Sequence, residues 1–142
     1  MKINRTGSAS WAGNLKEGKG DVSTQSGALK AHPYGFGSRF EGGSGTNPEE
    51  LIAAAHAGCF TMALSLALGE AGYMADRMDT KATITLEKVS DGFAITSSHL
   101  VLRAKIPGID DQAFQAIAAK AKAGCPVSKV LKAEIALDAA LE

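Results

Sequence analysis

From Leu51 to Leu68 the chain runs for eighteen residues without a formal charge. A run of that length has two homes, a bilayer or a covered helix. Six of its residues are alanine, and His56, Cys59, Thr61 and Ser65 interrupt it. It therefore reads as a core helix of a soluble protein, with no membrane role. Thr46-x-x-Glu49 and Asn47-x-x-Glu50 both fit a capping box, Pro48 suits a first helical turn, and Gly72 is placed to end the helix after Ala71. The rise per residue gives a helix of roughly 36 Å, long for one small domain. Its middle is apolar all round, which predicts a central helix covered on most sides.

The segments around it fall into strands and shorter helices. Ile3, Gly7, Ala9 and Trp11 share one alternating face before a polar turn at 16–20, and Val22-Ser23-Thr24 resumes the strand pattern. From Pro33 to Asn47 the chain reads as a glycine-rich loop, with Ser38 to Glu41 as a short extended piece. Ala82, Ile84 and Leu86 alternate with polar residues, Ser90-Asp91-Gly92 marks a hairpin turn, and Phe93 to Ile106 reads as the returning strand. Phe114, Ile117, Ala118 and Ala121 form one stripe of a helix over 110–123. A short helix opens at Pro126, and Ile135, Leu137, Ala139 and Leu141 share the face of a last strand. Strands and helices are segregated, so the predicted class is α+β, with a largely antiparallel sheet around the long helix, in a single domain over 1–142.

Composition narrows the function. Fifteen basic residues balance fifteen acidic ones, without the Lys/Arg excess that phosphate neutralisation requires, so no nucleic-acid partner is expected. The N-terminus carries no apolar leader, and two cysteines 66 positions apart are too few for a disulfide-stapled scaffold. The expected compartment is a reducing cytoplasm. No Cys or His spacing suits zinc.

Two thiols remain as candidates for chemistry. Cys59 lies mid-helix, where a cysteine ordinarily packs as an inert small hydrophobe. Cys125 stands in Gly124-Cys125-Pro126 at the start of a helix, where backbone N–H groups favour a thiolate. Local physics thus ranks Cys125 as the more reactive. His56, three residues before Cys59, faces the same side; it fits a Cys–His dyad, or more plainly a hydrogen-bonded core histidine. Arg39 can pair with Glu41 on one strand face, while Glu49 and Glu50 have a ready role as helix-start acids. The glycines between 35 and 45 match no phosphate-binding pattern. Phe36, Phe40, Phe60 and Met62 are apolar candidates for lining an approach to Cys59.

Arg39-Phe40-Glu41, then Gly45 to Leu51 (GTNPEEL), then Ala54 to Phe60 (AAHAGCF), and finally Lys120 to Ser128 (KAKAGCPVS) resemble the OsmC/Ohr family of osmotically inducible and organic hydroperoxide resistance proteins. The similarity spans essentially the whole chain, and Arg39 in the Arg-Phe-Glu segment points to the osmotically inducible branch. Gly58 departs from the commoner alanine. The resemblance implies a peroxidase acting on organic hydroperoxides. Cys59 would be the peroxidatic thiol and Cys125 the resolving thiol, with Arg39 and Glu49 as activating partners and no metal, haem or flavin cofactor. This reverses the local ranking of the cysteines. It also implies a lipoyl-type dithiol reductant and an intertwined homodimer. Glu49 and Cys59 are ten residues apart, about 15 Å along a helix, so a second chain is the better source of the Arg39–Glu49 pair. Two rival readings are a cysteine hydrolase or acyltransferase using Cys59 and His56, and a non-enzymatic stress-related binding domain.

Overall fold

The computed structural model describes every residue from Met1 to Glu142 and divides into two compact units, Met1–Leu51 and Ile52–Glu142. In the first, β1 (Gly7–Ala12), β2 (Lys19–Thr24) and β3 (His32–Tyr34) form an antiparallel sheet in that order. Register places Gly20 opposite both Trp11 and Tyr34, whose rings meet edge to face with centroids 5.5 Å apart. A Cβ on Gly20 would lie 2.5 Å from Trp11 Cε3 and 2.6 Å from Tyr34 Cε1, so the residue must be glycine for the rings to close over the strand. Ile3 precedes the strand, and every residue of β1 is exposed.

The next segment corrects an expectation. Ser38 to Glu41 is not extended: Phe36–Phe40 forms a short helix, α1. Ser38 Oγ accepts the Gly35 N–H at 3.0 Å and lies 2.7 Å from the Thr46 carbonyl oxygen, while Asn47 Nδ2 donates to the Ser38 carbonyl at 3.1 Å. These tertiary bonds set the turn, which no sequence period announces.

Helix α2 (Pro48–Glu70) follows the expected bounds. Of the two candidate caps, Asn47 serves: its Oδ1 accepts the Glu50 N–H at 2.8 Å, and Thr46 Oγ1 donates to the Glu50 carboxylate at 2.9 Å. At the other end Gly72 has φ +86°, with Tyr73 N–H on the Leu68 carbonyl and Gly72 N–H on that of Gly69, the paired bonds of a Schellman stop.

In the second unit β4 (Arg77–Val89) and β5 (Gly92–Lys105) make a long antiparallel hairpin, and β6 (Glu134–Leu141) lies parallel to β5. A parallel neighbour needs a crossover, supplied by α3 (Asp111–Gly124) and α4 (Pro126–Val130). The sheet is therefore mixed rather than wholly antiparallel. Thr96 forms a bulge between Ile95 and Ser97, beyond which Ser98, Leu100, Leu102 and Ala104 are buried in alternation. Leu100, Leu102 and Ala104 pack with Phe60, Leu64 and Leu68 of α2 and with Phe114, Ala118 and Ala121 of α3.

Within one chain burial of α2 is one-sided, short of the expected cover on most sides. His56, Phe60, Leu64, Ala67 and Leu68 are buried, whereas Met62 is 77% and Leu66 67% exposed. The helix is long and apolar enough to cross a membrane by length and composition, with mean hydropathy 1.8, but one face belongs to the core.

Candidate active site

The two cysteines, 66 positions apart in sequence, come together in the second unit. Cys59 sits on α2 next to Phe60, which anchors that turn in the core. Cys125 joins two helices. Its N–H closes α3 on the Ala121 carbonyl at 3.0 Å, and its Sγ caps α4 by accepting the Ser128 N–H at 3.5 Å. The two thiols are neighbours, and each is among the groups that shift the other's pKa.

Their environments push the two thiols apart. Burial, and then the bond to Cys125, raise Cys59 above the ordinary thiol range, although the Val127 N–H works the other way. Burial also opposes ionisation of Cys125, but the bond from Cys59 and the donors of Ser128 and Val127 outweigh it and bring that thiol below the ordinary range. Of the two, Cys125 is therefore the more acidic thiol. Access runs in the opposite sense: Cys125 is 0% exposed, while Cys59 is partly exposed.

His56 does not pair with Cys59. Its Nδ1 lies 2.6 Å from Ser98 Oγ and its Nε2 2.8 Å from Ser128 Oγ, so both ring nitrogens are engaged elsewhere. The residue is fully buried, and that burial lowers its pKa and keeps it neutral. This removes the base on which a Cys59–His56 hydrolase would depend. Neither Ser98 nor Ser128, which closes the second cysteine segment, is assigned a role by the sequence alone. Their signals were a serine at an inward strand position among leucines, and a hydroxyl three residues beyond a helix-capping cysteine.

The first unit holds the other two predicted residues. Arg39 reaches Glu49, not Glu41: its Nε and Nη2 both lie 2.8 Å from Glu49 Oε1. On a helical turn residues two apart do not face one another, which is why the Glu41 pairing fails. Arg39 also stacks over Phe40 at 5.3 Å. Glu49 Oε2 is buried and takes no hydrogen bond. Beside this pair a cavity of about 290 Å³ is lined by Trp11, Leu15, Tyr34, Phe36, Arg39 and Phe40. Of the apolar candidates, Phe36 and Phe40 line it, whereas Phe60 is 0% exposed and is a core residue instead. Met62 lines a separate open groove of about 520 Å³ with Ala57, Gly58, Thr61, Met78 and Thr80. No group of three or more His, Cys, Asp or Glu side chains could hold a metal ion.

Comparison with known proteins places this arrangement. The family model for OsmC-like proteins matches residues 41–139. The Peroxiredoxin OsmC of Escherichia coli is 60% identical over 138 residues, covering 97% of this chain and 96% of the relative. The Organic hydroperoxide resistance protein of Xanthomonas axonopodis pv. citri is 32% identical over 95 residues, covering 66% of this chain and 65% of the relative. Among solved structures, the organic hydroperoxide resistance protein OhrB of Bacillus subtilis superposes with a TM-score of 0.74 at 26% identity, covering 95% of this chain and 98% of that one. With both thiol segments in order along an α+β chain and a near full-length relative at that identity, the chain belongs to the OsmC-like family.

Proposed function

We propose that this protein is a thiol-dependent peroxidase that reduces organic hydroperoxides to alcohols, with Cys59 as nucleophile and Cys125 as resolving thiol. The observation that carries the reading is the juxtaposition of the two cysteines, 66 positions apart in sequence, close enough for each thiol to act on the other's ionisation. The names of the relatives, a peroxiredoxin and organic hydroperoxide resistance proteins, support it. Access selects Cys59 for the first step, because a peroxide cannot reach a sulfur with no exposed surface.

The chemistry follows from the shared proton. Transfer from Cys59 to the Cys125 sulfur leaves a Cys59 thiolate, the reactive species toward peroxide. That thiolate attacks one peroxide oxygen; the O–O bond breaks, the alkoxide takes the proton held on Cys125 and leaves as alcohol, and Cys59 becomes a sulfenic acid. Cys125 displaces the hydroxyl as water and forms the disulfide. An external dithiol of lipoyl type then returns both cysteines to thiols, itself becoming a disulfide.

Arg39 and Glu49 act as activating partners in this reading. The guanidinium favours a thiolate, and Glu49 fixes its orientation. The 15 Å rise expected between Glu49 and Cys59 favours supply of the pair by a second chain. The apolar outer face of α2, with Met62 and Leu66 exposed, supports a homodimer; in this reading the protein is cytoplasmic and each chain acts as one domain over 1–142. Counting free thiols before and after one equivalent of an organic hydroperoxide tests the function. Loss of two thiols per chain is expected, and an unchanged count contradicts it.

A further inference from the structure

The buried polar groups of the second unit form a line that ends on Cys125. Ser98 of β5 and His56 of α2 are both 0% exposed. Ser98 Oγ lies 2.6 Å from His56 Nδ1, and His56 Nε2 lies 2.8 Å from Ser128 Oγ on α4. Ser128 in turn donates its N–H to the Cys125 sulfur at 3.5 Å, and its hydroxyl is among the groups that lower the Cys125 pKa.

The proton count fixes the direction of the chain. A neutral imidazole has one donor and one acceptor, and each serine hydroxyl has one proton. With the Ser128 proton on the Cys125 sulfur, Nε2–H must donate to Ser128 Oγ, and Nδ1 must accept from Ser98. Every proton then points toward Cys125. If Cys125 is protonated the order reverses, Cys125 to Ser128 to Nε2 and Nδ1–H to Ser98, and again no atom is left without a partner. A buried histidine held only for packing needs satisfied nitrogens, but it does not need its second partner to be the residue that also bonds a redox-active sulfur. No Lys, Arg, Asp or Glu bonds any member of the chain, and its titratable groups are His56 and the two cysteines.

We propose that His56 and Ser128 are positioning residues for the resolving step, holding a hydroxyl donor at the Cys125 sulfur so that it stands ready as the thiolate that attacks oxidised Cys59. This rests on the peroxidase reading above. In the step, the Cys125 thiolate attacks the Cys59 sulfenic sulfur. The S–S bond forms and the S–O bond breaks, Cys125 is oxidised as the Cys59 sulfur is reduced, and the departing hydroxide takes a proton to become water.

The test is a pH titration of the thiolate ultraviolet absorbance in the Cys59→Ser protein, whose single thiol is Cys125, without peroxide. Ser128→Ala is expected to move the midpoint to higher pH and Ser128→Thr, which keeps the hydroxyl, to restore it. His56→Gln should shift it in the same direction, and the His56→Gln/Ser128→Ala double variant should shift it no further than Ser128→Ala alone. In the protein with both cysteines, Ser128→Ala should slow disulfide formation after oxidation by about tenfold, the scale of one hydrogen bond to a charged group. An unchanged midpoint in Ser128→Ala, or shifts that simply add, overturns the proposal. If Ser128→Ala does not fold, as judged by circular dichroism, the His56→Gln midpoint decides alone, and no shift there overturns it equally. Because the titration uses no peroxide, it judges the chain separately from the peroxidase reading, which fails only if the unmodified protein consumes no hydroperoxide.

Discussion

Met62 and Leu66 lie one turn apart on the outer face of α2, 77% and 67% exposed. If a second copy covers that face, truncating both to alanine removes apolar area that association would have buried. Fully burying a side chain of this size stabilises by about 2 kcal/mol. Scaled by the exposed fractions, the two contribute about 3 kcal/mol per chain, and two-fold symmetry doubles that to about 6 kcal/mol. At 1.4 kcal/mol per factor of ten, the dimer dissociation constant should rise by about 10⁴-fold. Sedimentation equilibrium across a micromolar concentration series reads this directly. Circular dichroism should show a folded monomer, because neither side chain belongs to the core. A dissociation constant within tenfold of the unsubstituted protein would refute the assignment of this face. Dispersal of unsubstituted protein to monomer while it binds lipid vesicles would assign the face to a bilayer instead.

Other perturbations read the rest of the account. Arg39→Lys loses the two-nitrogen grip on Glu49 Oε1 and should lower the rate of the peroxide step about ten- to a hundredfold in stopped-flow kinetics; an unchanged rate removes Arg39 from the chemistry. An apolar approach gains roughly 0.8 kcal/mol per methylene buried, so kcat/KM should climb from hydrogen peroxide to alkyl hydroperoxides; a flat or falling series argues against an apolar pocket. Gly20→Ala drives a methyl into the Trp11 and Tyr34 rings and should lower the urea midpoint and change Trp11 fluorescence, whereas no change in either means that the rings do not close there. His56 has a folded pKa below its unfolded value, so the unfolded chain binds the extra proton. Stability conferred by the neutral ring is complete above about 6.5, the unfolded pKa, and is lost as pH falls toward the folded one. Urea midpoints should drop from pH 7 to pH 5, and drop less in His56→Gln; equal slopes would contradict that origin.

Local signals in the chain foretold its local structure. The caps and stop of α2 were legible because Asn47, Pro48 and Gly72 act on the backbone next to them. The stripes of α3 and β6 were legible because burial there follows a simple period. Helix α1 was not, since Ser38 holds it through bonds to Thr46 and Asn47, and a five-residue turn has no periodic signature. The one-sided cover of α2 was hidden for a different reason. An apolar residue facing a partner chain and one facing its own core look alike in sequence. The meeting of Cys59 with Cys125 came from family motifs rather than physics, and local physics still names Cys125 as the more acidic thiol. Acidity and access point to different cysteines, and only the exposed surface at Cys59 breaks the tie.

That division of roles is the claim on which everything else depends, and mass spectrometry of two single variants tests it. Each is treated with one equivalent of organic hydroperoxide and then with a dimedone-type trap for sulfenic acid. The Cys125→Ser protein should consume the peroxide and carry the trap on Cys59, advancing to sulfinic acid when peroxide is in excess because no resolving thiol intercepts it. The Cys59→Ser protein should leave the peroxide unconsumed and Cys125 unmodified. Rapid consumption by the Cys59→Ser protein, with the trap on Cys125, would contradict the account and hand the nucleophile's role to the thiol that the hydrogen bonds favour.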